Sequence, residues 1–80
     1  MRISESIAVR ISELLVQKNM TQYRLAKNMG IHPNTMAGIM HSKNNAANLK
    51  TIFLICHGLG VTPGEFFTNP LFEKTGLGAD

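Results

Sequence analysis

The sequence predicts an all-α fold, a bundle of five short helices in one small domain. Three observations lead to this prediction. Apolar residues recur at spacings of three and four along most of the chain, capping residues precede these stretches, and glycine or proline stands at their ends. Because 80 residues build only one modest core, we expect residues 1–70 to form the domain and residues 71–80 to be a tail, loose or related to dimer formation.

The composition narrows the classes of protein to which the chain can belong. Hydrophobic residues make up 44% and charged residues 16% of the sequence, which is typical of a folded protein. The formal net charge of +3 weakly favours a polyanionic partner. A single cysteine, Cys56, excludes an internal disulfide, no apolar run reaches the roughly 18 residues of a membrane span, and no signal peptide precedes the domain. We therefore expect a cytoplasmic protein that does not contact a membrane.

The first helix is predicted over residues 4–18. Ser4 is a candidate N-cap, and Lys18 with Asn19 marks the end of the apolar pattern. Its apolar face consists of Ile7, Ile11 and Leu14, widened by Ala8, Leu15 and Val16.

Two short helices joined by a glycine follow. Thr21 can cap the first of them, and Gly30 follows its last apolar residue, where a helix commonly ends in a left-handed conformation. Pro33 stands where the second begins, since its missing N–H is no loss in a first turn. The residues expected to share one core are Leu25, Ala26, Met29, Met36 and Ile39. Together the two helices form a helix-turn-helix unit, whose second helix can lie in the major groove of DNA.

The fourth helix is predicted to begin after Asn48, its N-cap, and to end at Gly60, with Gly58 weakening it. A strand over Thr51–Ile55 would fit the composition, but the longer helical pattern favours a helix. We expect this helix to be the most buried, because it is apolar on most sides through Leu49, Ile52, Phe53, Ile55, Cys56 and Leu59.

A short fifth helix closes the bundle. Thr62 caps it, with Pro63 at its first position and Glu65 at its third. Phe66–Phe67 anchors it and Asn69–Pro70 stops it. The residues that follow show no clear period.

Many of these positions coincide with those of a known family. They are Thr21–Gln22, Leu25–Ala26, Gly30–Ile31, Thr35 and Ile39, followed by Leu49, Leu59–Gly60–Val61 and Phe66–Phe67. With them the sequence resembles the Cro and lambda-repressor-type (XRE-family) helix-turn-helix domains over roughly residues 7–67. The resemblance implies a lambda-repressor-like bundle that binds double-stranded DNA sequence-specifically as a small transcriptional regulator, usually as a homodimer on a palindromic operator. No cofactor is implied.

The resemblance also implies which residues contact DNA. The recognition helix spans about residues 33–40, and Gln22, at the start of helix two, contacts a phosphate or a base edge. The groove-facing positions are matched by His32, Pro33, Asn34, Thr35 and Gly38. The loop that lies along the DNA backbone is matched by His41, Lys43, Asn44 and Asn45, and we favour an ordinary solvated residue for the last of these.

The chemistry of these side chains differs. Asn34 is the best candidate for reading a base, because its amide matches the donor and acceptor of adenine, although it could also be a solvent-facing residue of a first turn. Thr35 could contact phosphate and a thymine methyl, or be a half-buried helix residue. His32 could bind phosphate, more strongly when protonated, or be a helix N-cap or pre-cap residue. Gly38 replaces the long polar or basic side chain that the family usually carries, so it either permits close backbone approach or merely weakens the helix.

The sequence offers little support for a catalytic or metal site. The soft ligands are His32, His41, His57 and Cys56, and no pair of them has the spacing of a zinc site. The acidic residues form no convergent pair, and no glycine-rich phosphate loop follows a strand. We expect no enzymatic activity and interpret Cys56 as a small buried hydrophobe.

A surplus of apolar residues remains to be explained, namely Val9, Leu15, Val16, Leu54, Leu71 and Phe72. The tail could cover them, or they could form a homodimer surface with helix five and the segment after it, which we favour. The alternative function is a protein-interaction module on the same fold, such as an antitoxin-like or anti-repressor partner of another protein.

Overall fold

Six helices form the part of the chain that the structure, a computed structural model, describes: residues 3–41 and 48–73, with side chains from residue 5 onward. The helices are α1 (Ile3–Gln17), α2 (Gln22–Met29), α3 (Pro33–His41), α4 (Leu49–Leu59), α5 (Pro63–Phe67) and α6 (Pro70–Glu73). No strand occurs within these ranges, so the all-α prediction is confirmed. The bundle has one helix more than predicted.

Helix α1 differs from the prediction at both ends. It begins at Ile3, so Ser4 lies inside the helix and does not cap it. Val16 is 82% exposed and does not widen the apolar face, whereas Leu15 is buried. The reason is angular: Val16 lies nine residues after Ile7, which at about 100° per residue places it on the opposite side of the helix. Val9 shares that outer side and is 39% exposed.

The core lies where four helices meet. Its centre is Ile11, Leu25, Ile55 and Phe66, from α1, α2, α4 and α5, and each is 0% exposed. Met36 adds a buried side chain from α3. The helix-turn-helix unit is therefore fixed to the bundle from inside, and its outer surfaces remain available for contacts.

Helices α2 and α4 lie close together at Gly58. A Cβ atom there would lie 2.7 Å from Cδ1 of Leu25 and 3.0 Å from Cγ of Met29. Nδ2 of Asn28 donates a hydrogen bond of 3.0 Å to the carbonyl oxygen of Gly58. The sequence indicates only that Gly58 weakens α4, but the structure shows that its missing side chain lets α2 rest directly on α4.

The sequence predicts α4 as the most buried helix, and five of its 11 residues are buried, but not every apolar residue of α4 faces the core. Leu49 is 70% exposed and Phe53 52% exposed. These two residues are four apart and share the outer face, while the buried residues Ile52, Ile55, Cys56 and Leu59 form the inner face. The predicted ends of α4 are confirmed, since Oδ1 of Asn48 accepts from the N–H of Thr51 and Gly60 has φ 75°.

The chain after α4 follows the predicted capping box and then departs from the prediction. Thr62 and Glu65 bond each other's backbone N–H groups, as expected. Asn69–Pro70 ends α5 but also begins α6, because Oδ1 of Asn69 accepts from the N–H of Leu71 at 2.9 Å. An Asn-Pro pair serves as N-cap and first residue of a new helix. Helix α6 spans the predicted domain boundary at residue 70.

A buried arginine holds α1 to α5. Arg10 is 7% exposed, its Nε donates to the carbonyl oxygen of Phe66 at 2.7 Å, and its Nη2 donates to that of Glu65 at 2.8 Å. These carbonyls belong to the last turn of α5, which has no partner for them within the helix. Glu13 lies 3.5 Å from Nη1 of Arg10 and accepts from Asn69 at 3.2 Å. The C-terminal helices are thereby fixed to the core by polar contacts as well as by packing.

Candidate nucleic-acid interface

Helix α3 has a core face and a solvent face. Met36 is buried, and Ile39 and Met40 are half-buried beside it. Asn34, Gly38 and His41 are exposed and stand at positions i, i+4 and i+7, which places them on the opposite side. The predicted recognition helix is confirmed as a helix that extends one residue further, to His41.

The start of α3 is fixed by His32. Its carbonyl oxygen accepts from the N–H of Thr35 at 2.9 Å and of Met36 at 3.2 Å, so His32 occupies the N-cap position and Pro33 the first helical position. Its ring Nδ1 accepts from the N–H of Asn34 at 3.0 Å. The structure therefore supports the cap interpretation of His32. A ring that accepts through Nδ1 carries its hydrogen on Nε2 when it is neutral.

The side chains next to this cap lie in solvent. Asn34 and Thr35 are both exposed, in the first turn of α3. The half-buried position considered for Thr35 is therefore wrong, and its hydroxyl and methyl are both accessible. Only the backbone N–H of Asn34 is engaged by the cap, so its side-chain amide keeps the donor and acceptor pair that base contact requires.

Gly38 lies in the middle of the solvent face of α3. A Cβ atom added there would meet nothing within 4 Å. Its small size is therefore not required by packing within the chain. Together with the half-buried Ala37, it leaves a smooth strip along the helix between Asn34 and His41.

Helix α2 presents a second set of polar groups. Gln22 is its first residue and is exposed, directly after the cap in which Oγ1 of Thr21 accepts from the N–H of Arg24 at 3.0 Å. Gly30 ends the helix in the left-handed conformation, with φ 72°, as predicted. Arg24 and Lys27 are exposed along it.

The remaining predicted contacts lie at the end of α3 and beyond it. His41 is exposed in the last turn. Lys43 and Asn44, with the neighbouring Asn45, lie outside the described residues. The structure brings Asn34, Gly38 and His41 onto one face, and the role of each as a DNA contact stays a prediction.

A segregation of charge marks the same part of the chain. No acidic residue occurs between Glu13 and Glu65, although this stretch contains the cationic residues Lys18, Arg24, Lys27, Lys43 and Lys50. The net charge of the whole chain is only +3, because the carboxylates near its two ends offset most of the positive charge of the middle stretch. The helix-turn-helix unit and α4 therefore carry a positive field that favours a polyanion. The distribution of charge along the sequence would have been enough to locate this positive region.

The described residues form neither a metal site nor a membrane span. Within residues 5–41 and 48–73, no three His, Cys, Asp or Glu side chains are grouped so that they could hold a metal ion. No helix in the described ranges is long and apolar enough to cross a membrane. Cys56 is 2% exposed, and burial raises the pKa of its thiol above the ordinary value, so it is an unreactive core residue at neutral pH.

Comparisons with known proteins agree with this geometry. A family model for the Cro/C1-type HTH DNA-binding domain matches residues 10–70. Among solved structures, the wild-type restriction-modification controller protein C.Esp1396I is similar at 26% sequence identity and a TM-score of 0.78, over 91% of this chain and 92% of that chain. The same controller protein in a nucleoprotein complex is similar at 26% identity and a TM-score of 0.78, over 91% and 92% of the two chains. No curated protein sequence matches the chain.

Proposed function

Because the chain belongs to the Cro/C1-type helix-turn-helix DNA-binding family, we propose that α3 lies in the major groove of double-stranded DNA and that two copies bind together. Members of this family are DNA-binding regulators and not enzymes. The similarity to a restriction-modification controller protein supports a role in controlling transcription. A cytoplasmic location is consistent with the proposed DNA target.

The observation that carries this proposal is the outward face of α3. Burial of Met36 fixes the rotation of the helix, and this rotation exposes Asn34, Gly38 and His41 together. The backbone at the start of the helix is held by the cap, so the position of Asn34 is set before DNA arrives. Because the backbone is already ordered, only the side chain has to be ordered on binding, which favours tight contact.

The contacts are proposed to divide into two kinds. Asn34 contacts a base edge, with Thr35 beside it, while Gln22, His41, Lys43 and Asn44 contact phosphates. His32 and Pro33 form the start of the helix, and Gly38, which has no side chain, permits close approach of the backbone to the DNA. Phosphate contacts set affinity for any duplex, and the base contact sets preference among duplexes.

Gel-shift titrations on specific and random duplexes test this division. Neutralisation of only two phosphates by cationic side chains already predicts a loss of affinity of about tenfold between roughly 50 and 200 mM salt. Asn34→Ala should cost about 1–3 kcal/mol on the preferred site and little on random DNA, whereas Lys43→Ala should weaken both and reduce the salt slope by about one. The same pattern of losses from both variants would contradict the division, and binding that is independent of salt would contradict the DNA contact itself.

The dimer is proposed from size and surface. Each copy supplies one recognition helix, and two half-sites lie about 34 Å apart on DNA, so a second copy is needed to occupy both. Phe67 is 38% exposed, and its ring packs edge-on against Phe66 and Phe72, with centroids 5.0 and 4.9 Å away. A partly exposed aromatic cluster on α5 and α6 suits an interface core.

Sedimentation of two matched variants tests the proposed surface. Phe67→Ser should shift the chain toward the monomer, while Val16→Ser, at an 82% exposed position on α1, should leave self-association unchanged. Circular dichroism at the same temperature confirms that both variants are folded. Dissociation by Val16→Ser alone would place the interface on the outer side of α1 instead.

A second candidate function, a protein-interaction module on the same fold, is favoured by a different surface. Leu49 and Phe53 are 70% and 52% exposed and share the outer face of α4. A partner protein that covered them would explain why apolar side chains stand in solvent. Failure to bind any duplex at low salt, together with a stable complex that the double variant Leu49→Ser, Phe53→Ser abolishes, would favour this function over the first.

A further inference from the structure

One helix of the bundle has an unusual cap. Five helix starts in the described ranges are capped by a side chain, and four of these caps use a hydroxyl or amide oxygen, from Thr21, Asn48, Thr62 and Asn69. Helix α3 alone uses a ring nitrogen, Nδ1 of His32, which accepts from the N–H of Asn34 at 3.0 Å. The unusual cap therefore belongs to the helix proposed to enter the groove, and it holds the backbone of Asn34, the residue proposed to read a base.

The two kinds of cap respond differently to acid. A hydroxyl or amide oxygen accepts a hydrogen bond at any pH between 5 and 8. Nδ1 of an imidazole accepts only while it carries no hydrogen, because both nitrogens of a protonated ring are donors. A proton on His32 therefore removes the cap of α3 and also places a positive charge at the positive end of the helix dipole.

Helices α2 and α3 contain no acidic side chain that could compensate such a charge. The charged and titratable side chains on α3 and on the helices packed against it are His41 on α3, Tyr23, Arg24 and Lys27 on α2, and Glu5, Arg10 and Glu13 on α1, with Lys18 directly after α1. Neither helix of the helix-turn-helix unit carries a carboxylate. Glu13 on α1 is engaged by Arg10 and Asn69.

We propose that His32 is a positioning residue for DNA binding, whose neutral ring holds the start of α3 and whose protonation releases it and weakens binding. This inference rests on the proposed contact of α3 with DNA. His32 acts through the backbone of Asn34, so a cap that cannot be protonated serves equally well at neutral pH. His32→Asn supplies such a cap, because asparagine is among the preferred N-cap residues.

Nuclear magnetic resonance of the free protein tests the cap without DNA. The ¹⁵N shifts of the His32 ring should show hydrogen on Nε2 at pH 8, and the amide signal of Asn34 should move when the sample is taken from pH 8 to pH 5. The amide signal at position 34 of His32→Asn should not show this movement. A ring with hydrogen on Nδ1, or an Asn34 amide that ignores the ring, would overturn the proposal.

Binding of one duplex at constant ionic strength then tests the consequence. Both the wild type and His32→Asn retain His41 and His57, so the difference between their pH profiles reports His32 alone. With each protein referred to its own affinity at pH 7.5, the wild type should lose about two- to tenfold more affinity at pH 5.5 than His32→Asn, the factor by which a cap favours an ordered helix start.

The other outcomes of the binding experiment are also decisive. Identical profiles, or a relative gain by the wild type in acid, would overturn the proposal, the second showing that His32 acts as a cation toward phosphate. Absence of binding to any duplex at every pH would remove the proposed function and this inference with it. That failure is distinguishable, because the resonance experiment on the free protein would still show the cap.

Discussion

The close approach of α2 to α4 can be tested with the same substitution at two glycines. Gly58→Ala and Gly38→Ala each replace glycine with alanine inside a helix, a change that by itself stabilises a protein by roughly 0.5–1 kcal/mol. They differ in what the new Cβ meets. At Gly38 nothing lies within 4 Å, whereas at Gly58 Cδ1 of Leu25 lies at 2.7 Å and Cγ of Met29 at 3.0 Å.

The size of the effect follows from this contact. Leu25 is 0% exposed and cannot turn into solvent, so Gly58→Ala forces a shift of packed atoms that costs about 1–3 kcal/mol. Gly38→Ala should therefore raise the free energy of unfolding by about 0.5–1 kcal/mol, and Gly58→Ala should lower it by up to about 2 kcal/mol. In a domain of this size, 1 kcal/mol moves the melting temperature by about 4–8 °C.

Thermal unfolding followed by circular dichroism measures both variants against the wild type. Because α2 rests on α4 at Gly58, the same shift should also move the helix-turn-helix unit and weaken DNA binding at temperatures where the variant is folded. Equal stabilisation by the two substitutions would refute the reasoning, because it would show that α2 and α4 are not in tight contact at Gly58.

Three further predictions concern the core and its polar supports. Arg10→Met should lower the free energy of unfolding in urea by about 1–3 kcal/mol, because two carbonyl groups of α5 lose their donor, while Lys27→Met on the exposed side of α2 should change it little. Val16→Ser should leave stability within about 0.5 kcal/mol, against a loss of about 2–5 kcal/mol for Ile11→Ala, and the reverse order would mean that α1 is rotated. Burial raises the pKa of the Cys56 thiol above the ordinary 9.0, so its contribution to stability is present below pH 9 and is lost as the pH rises through the folded-state pKa. Labelling of this thiol by a thiol reagent at pH 8 should be slow in the native protein and fast in denaturant. Fast labelling of the native protein would contradict the buried position.

Features fixed by neighbours in sequence could be predicted from the residues alone. The caps at Thr21, Asn48 and Thr62 and the left-handed ends at Gly30 and Gly60 are local, because each depends on residues within one helical turn. The same holds for the capping box of α5. These local features, together with the apolar spacing, predicted the helix-turn-helix unit and most of the helix bounds.

Features that depend on distant partners could not be predicted. Arg10 is an ordinary surface residue by type, and its buried role arises from carbonyl groups 55 and 56 residues away. Gly58 looks like a helix-weakening residue until α2 is placed against it. Leu49 and Phe53 count toward an apolar helix in the sequence, although they stand on the face that no other described helix covers. Position in three dimensions, not residue type, decides each of these cases.

The candidate site divides in the same way. Its elements were predictable, because the pattern placed α3 between Gly30 and His41 and put Asn34 in its first turn. The sequence left open whether His32 binds phosphate or caps the helix, since a histidine before a proline fits both. The hydrogen bond from the N–H of Asn34 to the ring shows that it caps.

Selection of bound sequences from random double-stranded DNA tests the central claim, that the exposed face of α3 reads the major groove, most directly. We predict an enriched palindrome whose half-sites are centred about 10 base pairs apart, one helical turn. The preference at one position per half-site should be lost in Asn34→Ala. Enrichment of no sequence by the wild type, or an identical enriched sequence for Asn34→Ala, would contradict it.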